Sequence, residues 1–250
     1  MTSIKTLLPI DYYRLPFCRP NDGPKMDNEN LGEFLAGDRI ENSPYVLLMK
    51  KEMYCEQLCI SNLGRADQSG VSPNKVVKAI RKSYHNNWIV DNLPAASKVE
   101  DDTLVTTRYW HGFPVGFINE KDMKAYIHNH VNIEIMYHEV ETEKDAFRVV
   151  RFTVEPFSIN HVHDEITGDT SDPLDESYLH KIARIKNPIA SCDPNHQGEH
   201  EHTNYDMVVG PGQNPQEASG KVLFTYDVTW ISNPALHWAS RWDIYLTMDN

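Results

Sequence analysis

Twelve histidines, four cysteines and a tryptophan-bearing C-terminal stretch hold most of the chemistry open to this chain. His128 and His130 stand two apart on one strand face, as do His161 and His163, and His196, His200 and His202 cluster further on. Imidazole suits copper, zinc or nickel. Yet no three or four of these residues have the spacing of a metal site, and the Cys55 to Cys59 step is not the usual zinc-knuckle interval. The histidines are therefore read as structural. A second reading makes them pH sensors, since imidazole titrates in an acidifying compartment. Neither a metal nor another cofactor is expected. Nucleophilic catalysis has no better footing: there is no Gly-x-Ser-x-Gly elbow, and Ser83, Ser158 and Ser240 sit in no nucleophile context. The carboxylate pairs Glu33/Asp38 and Asp101/Asp102 read as solvated loops. The chain is read as a non-enzyme.

The cysteines are Cys18, Cys55, Cys59 and Cys192. An even number permits two bridges with three connectivities in an oxidising compartment, or buried thiols in a reducing one. Along an extended strand Cys55 and Cys59 are too far apart to bridge each other, so each would pair with a distant cysteine. Near the C-terminus, Trp238-Ala239-Ser240-Arg241-Trp242-Asp243 places two tryptophans around a charged pair. Tryptophan is favoured where an apolar body meets a wet edge, a membrane surface included.

The whole-chain numbers narrow the partners. Net charge is −12 with a pI near 5.4, so nucleic acid is excluded for want of a basic footprint. Anionic lipid headgroups also repel such a domain. No apolar run approaches the ~20 residues that span a bilayer, and residues 1–15 lack the apolar core of a signal peptide. These features alone read as soluble and cytosolic; the cysteines leave the compartment open. No Asn-x-Ser/Thr sequon occurs, since Asn42-Ser43-Pro44 fails.

The elements that must position these residues are mostly strands. Val222, Phe224, Tyr226, Val228 and Trp230 alternate with Thr225, Asp227 and Thr229, a period of two that predicts a half-buried strand. Tyr126 to Val140 predicts a long strand, with Ile127, Val131, Ile133, Ile135 and Tyr137 on one face and His128, His130, Asn132, Glu134 and His138 on the other. Ala146 to Ile159 follows, and residues 141–145 make the pair an antiparallel hairpin. Tyr45 to Met49, Trp88 to Val90 and Leu104 to Trp110 are further strands. Ser72-Pro73 starts the clearest helix, with Val76, Val77 and Ile80 inward and Lys75, Lys78, Arg81 and Lys82 outward. Residues 29–39 suggest a short helical turn. Residues 160–220 are acidic, rich in His, Pro and Gly, and aperiodic, which suggests a long surface insertion. The expected fold is mainly β, a sandwich of two packed antiparallel sheets with one or two short helices, in a single domain over 1–250.

Several stretches, in order from residue 12 to residue 247, resemble the N-terminal luminal domain of the nonaspanins, the transmembrane 9 superfamily. They are Tyr12 to Cys18, Glu29 to Glu33 with Gly37-Asp38-Arg39, Cys55 to Cys59, Asp91 to Pro94, Gly112 to Phe117, Ile127 to His130, Arg148 to Phe152 and Trp238 to Leu246. The resemblance implies a domain in the lumen of the Golgi or endosomes, a leader before it, and nine membrane helices after residue 250. It implies an oxidising compartment, which favours disulfides at Cys18, Cys55, Cys59 and Cys192. It places Trp238, Arg241 and Trp242 at headgroup level before the first membrane helix. It also implies a role in sorting membrane-protein cargo with glycine-rich transmembrane segments. The alternative is a free-standing luminal or secreted binding module for a ligand or metal.

Overall fold

The computed structural model describes residues 1–6, 8–27, 40–62, 73–99, 108–120, 123–140, 146–159, 161, 208–209 and 221–246. The early strands are β1 (Thr2–Ser3), β2 (Met26–Asp27), β3 (Ile40–Glu41), β4 (Met53–Asn62), β5 (Tyr84–Asn86), β6 (Ile89–Val90), β7 (Leu93–Pro94) and β8 (Ala96–Val99). They are followed by β9 (Arg108–His111), β10 (Phe113–Pro114), β11 (Gly116–Ile118), β12 (Ala125–Ile127), β13 (His130–Glu139), β14 (Phe147–Phe157), β15 (Val208–Val209) and β16 (Lys221–Ser232). Helices cover Pro73–Arg81 and Asp243–Leu246, with 3-10 turns at Tyr12–Arg14 and Trp238–Ser240. The mainly β class with two short helices holds among the described residues.

A six-stranded sheet in the order β4-β16-β13-β14-β8-β9 forms the frame, beside two three-stranded and two two-stranded sheets. Strands β13 and β14 are the expected antiparallel hairpin, with a bulge between Met136 and Tyr137. The large sheet is mixed, which the antiparallel expectation did not include. β16 lies parallel to β13 and antiparallel to β4, and β14 meets β8 in parallel. Parallel neighbours need long crossovers. The long stretch between β14 and β16 supplies one, and β15 within it pairs with β12; the rest of 160–220, apart from His161, lies outside the described residues.

Alternation does its work in the middle of the sheet. Val131, Ile133 and Ile135 of β13, Phe152 and Val154 of β14, and Tyr226 and Val228 of β16 all bury against Leu93, Ala95 and Phe113. Each large side chain so covered contributes about 2 kcal/mol. A second cluster joins Leu15, Phe17 and Cys18 of the N-terminal segment to Val76, Ala79 and Ile80 of the helix and to Val222 and Phe224. The helix presents the expected face: Val76 is fully buried, Val77 half-buried, and Lys75, Lys78 and Arg81 are exposed. Its N-cap, Ser72, lies outside the described residues, as do 29–39, 101–107 and 141–145.

Two expectations fail on local detail. The predicted strand from Tyr126 to Val140 is two strands in different sheets: His128 N–H donates to the Val115 carbonyl, and Asn129 N–H donates to the Phe157 carbonyl of β14, with the Asn129 side chain at the crossing. Its amide Nδ2 donates to the carbonyls of Ile159 (2.9 Å) and Leu223 (3.0 Å), and its Oδ1 accepts from Ile159 N–H (2.8 Å). Tyr45 to Met49 is no strand: the backbone of Val46 pairs with the Tyr226 hydroxyl in place of a neighbouring strand, and Val46, Leu48 and Met49 stay exposed. Strands β6 and β7 close through Asp91 (φ 50°) and Asn92 (φ 59°). Positive φ at both central residues is what a tight type I′ hairpin requires, and Asp and Asn tolerate it best after Gly.

Candidate functional site

Cys18 and Cys59 are joined by a disulfide with Cα atoms 5.7 Å apart. It fastens the N-terminal segment to β4 inside the first core cluster, where Phe17 meets Phe224 edge-on and stacks on Tyr12. Cys55 is disulfide-bonded as well, at a point where β4 kinks (φ 48°). Its N–H donates to Asp227 Oδ1 at 2.6 Å. Cys192 lies outside the described residues.

The tryptophan-bearing stretch is bound to the end of the large sheet. After β16, Asn233 N–H donates to the Tyr137 carbonyl, and its Oδ1 caps Ala235 and Leu236. The chain then crosses beneath β13 and β14. The Arg148 guanidinium of β14 lies 5.6 Å from the Trp238 ring. Arg241 lies 4.3 Å from the same ring and 5.8 Å from Trp242. Arg241 also pairs with Asp91 of the β6–β7 turn at 3.6 Å. Finally the Tyr245 hydroxyl donates to the Pro94 carbonyl at 2.7 Å. Burial holds that phenol at a pKa of about 12, against the nearby Arg151 and Arg241 charges, so it remains a donor at any physiological pH. Trp238, Arg241 and Trp242 therefore form one ladder, and local sequence showed their adjacency but not their anchorage.

The histidines divide. His130 is fully buried, not on a wet face. Its Nδ1 lies 2.7 Å from Thr225 Oγ1 and its Nε2 lies 2.9 Å from Asn132 Oδ1. His161, equally buried, reaches the same Thr225 hydroxyl at 3.1 Å. Asp227 Oδ2 stands 3.8 Å from His130 Nε2. Thus two histidines 31 positions apart meet over one threonine, with Ile159 bound to Asn129 ahead of β13 and His161 to Thr225 of β16. Among the described residues no three His, Cys, Asp or Glu side chains could hold a metal. His85 is buried, stacks on Trp110 and sits 3.3 Å from the His111 carbonyl. Burial chiefly lowers its pKa, and the His111 imidazole adds to this, against an upward pull from the hydrogen bond.

Two concavities flank these groups. A dish of about 320 Å³ on the open face of the large sheet is lined by Glu52, Tyr54, Lys98, Asn132, Glu134 and Asp227. A cleft of about 1230 Å³ runs between the N-terminal segment and the β6–β7 hairpin, walled by Tyr12, Tyr45, Trp88, Phe152 and Trp242. Burial raises the Tyr12 and Tyr45 phenols far above their ordinary range, so these two rings stay neutral and amphipathic, beside Asp11, Arg14 and Glu41 in the same lining.

The whole chain has relatives. A family described as endomembrane protein 70 matches residues 9–250. The chain is 37% identical to transmembrane 9 superfamily member 10 of Arabidopsis thaliana, over 99% of its own length and 35% of the relative's. It is 36% identical to member 8 of the same plant, over 100% and 35%. It is 33% identical to human member 4, over 100% and 36%. The chain thus spans about a third of the length of the curated relatives it matches. No solved structure matches it.

Proposed function

From its membership of the endomembrane protein 70 family, the transmembrane 9 superfamily of its relatives, we propose that this chain is the luminal domain of a multispanning membrane protein of the Golgi and endosomes. In this reading it acts without catalysis and helps to sort membrane-protein cargo with glycine-rich transmembrane segments. The Cys18–Cys59 bridge carries the luminal side of the proposal, because structural disulfides persist in oxidising compartments and are rare in the cytosol. The ladder of Trp238, Arg241 and Trp242 fits residues held at headgroup level. No helix among the described residues is long and apolar enough to cross a membrane, so recognition of a cargo helix falls to parts of the protein beyond this domain.

The test uses the native full-length protein in sealed microsomes. The expected result is that the domain resists added protease until detergent opens the vesicle, stays with the membrane through alkaline extraction, and migrates faster on unreduced than on reduced gels. Co-purification of a reporter with a glycine-rich membrane helix, lost when its glycines become leucines, supports the sorting half. Digestion in intact vesicles would overturn the luminal assignment. Release by alkaline extraction would leave a free-standing module instead.

A further inference from the structure

We infer that the end of the large sheet that carries the Trp238, Arg241 and Trp242 ladder is a bilayer contact surface, built for the zwitterionic interface of the membrane and not for an anionic one. This rests on the luminal membrane-protein reading above. Leu48, Met49, Ile89, Trp238 and Trp242 are each 41–45% exposed, and a chain of side-chain contacts places them around one rim. Lys50, next to Leu48 and Met49, reaches Glu139 at 2.7 Å and lies 3.8 Å from the Phe147 ring. Phe147 adjoins Arg148, which leads through Trp238 and Arg241 to Asp91, and Ile89 stands in the same hairpin as Asp91. The rim therefore spans the ends of β4, β16, β13 and β14, about 15 Å at the usual strand spacing.

The occupant follows from its chemistry. Scattered aliphatic tips and amphipathic tryptophans on a flat edge, with arginines on the ring faces, suit the headgroup layer, where apolar bodies dip in and guanidinium groups stay wet. The rim's ion pairs balance: Lys50 stands against Glu139 and Arg241 against Asp91, while Arg148 rests on the Trp238 ring. The domain as a whole, at −12, is repelled by an anionic surface. A charge-balanced, amphipathic edge on an acidic body fits phosphocholine-type headgroups, whose own charges balance.

The probe is a phosphatidylcholine vesicle carrying a little maleimide-headgroup lipid and lipids brominated near the top of the acyl chain. The chain is coupled through one cysteine appended after Asn250. Expected is quenching of tryptophan emission that falls by more than half in Trp238→Phe/Trp242→Phe and weakens in Leu48→Ser/Met49→Ser/Ile89→Ser. That second variant should melt like the parent, being confined to exposed side chains. Quenching should change little between low and high salt. Equal quenching in parent and Trp238→Phe/Trp242→Phe, no quenching at all, or loss of quenching in high salt each overturns the inference. So does a rim covered by a second copy, seen as a dimer by sedimentation that the Leu48/Met49/Ile89 variant dissolves. A failed vesicle result leaves the microsome result untouched, and a cytosolic domain in microsomes leaves the vesicle result standing, so the two readings fail separately.

Discussion

Asn129 shows how much one side chain can decide. It is 2% exposed and satisfies three backbone groups that belong to two other segments, Ile159 and Leu223. Leaving a buried backbone group unpaired costs about 1–3 kcal/mol. Asn129→Ala should therefore lower unfolding stability by about 3 kcal/mol or more, read as a lower urea midpoint at unchanged slope. A loss under about 1 kcal/mol would mean that water takes the vacated positions. Gly112 is decisive for another reason. Its φ is +69°, and a methyl group there would lie 2.5 Å from the Asn86 carbonyl oxygen and 2.9 Å from Asn87 Oδ1. Gly112→Ala adds left-handed strain to a clash with backbone, so about 2 kcal/mol or more should be lost. A thermal midpoint equal to the parent's would show that the β9–β10 connection has room to shift.

At the scale of elements, the N-terminal segment depends on its bridge. The Cys18–Cys59 link closes 41 positions, and chain-entropy arguments assign about 4 kcal/mol to a loop of that size. Cys18→Ser/Cys59→Ser should lose about 3–4 kcal/mol in urea unfolding. A loss below about 1 kcal/mol would mean that Leu15, Phe17 and Tyr12 hold the segment by packing alone. Elements with local signatures were legible in the sequence: the Pro73–Arg81 helix by its start signal and apolar stripe, and the β13–β14 hairpin by alternation on both sides of a short polar loop. What the sequence hid were closures over distance. Leu223 and Thr225 are buried although their neighbours' alternation points them outward, because Ile159 and His161 return over that face. His130 is buried for the same reason. Tyr45 to Met49 has strand composition, yet Tyr45 turns into Trp88 and Tyr226 and the Tyr226 hydroxyl takes up both backbone groups of Val46. The ladder at the sheet's end was legible as composition, through Trp238, Arg241 and Trp242, but its flanks at Leu48, Met49 and Ile89 come from segments far apart in the chain.

For the molecule as a whole, the decisive variable is pH, and its sign can be worked out. His85 is lowered from its ordinary value of 6.5, burial being the first cause. His111 is lowered by burial too, although it is the more exposed residue of the two, so His85 is the first to test. Above pH 6.5 both folded and unfolded chains hold His85 neutral, and the fold keeps its full stability. As pH falls below 6.5 the unfolded chain takes up a proton that the folded chain resists, and stability drops until the folded pKa is passed. Carboxylates act in a separate range. With a net charge of −12, protonating them relieves self-repulsion, but ordinary Asp and Glu titrate near pH 4. The interval from about pH 6.5 to 5 is thus where histidine can be isolated. Urea midpoints should decline across it, and the decline should be shallower in His85→Phe, which keeps a ring on Trp110 and removes the titration, whatever its absolute stability. An equal decline in both proteins would remove His85 as the source and leave His111, which burial lowers in the same direction.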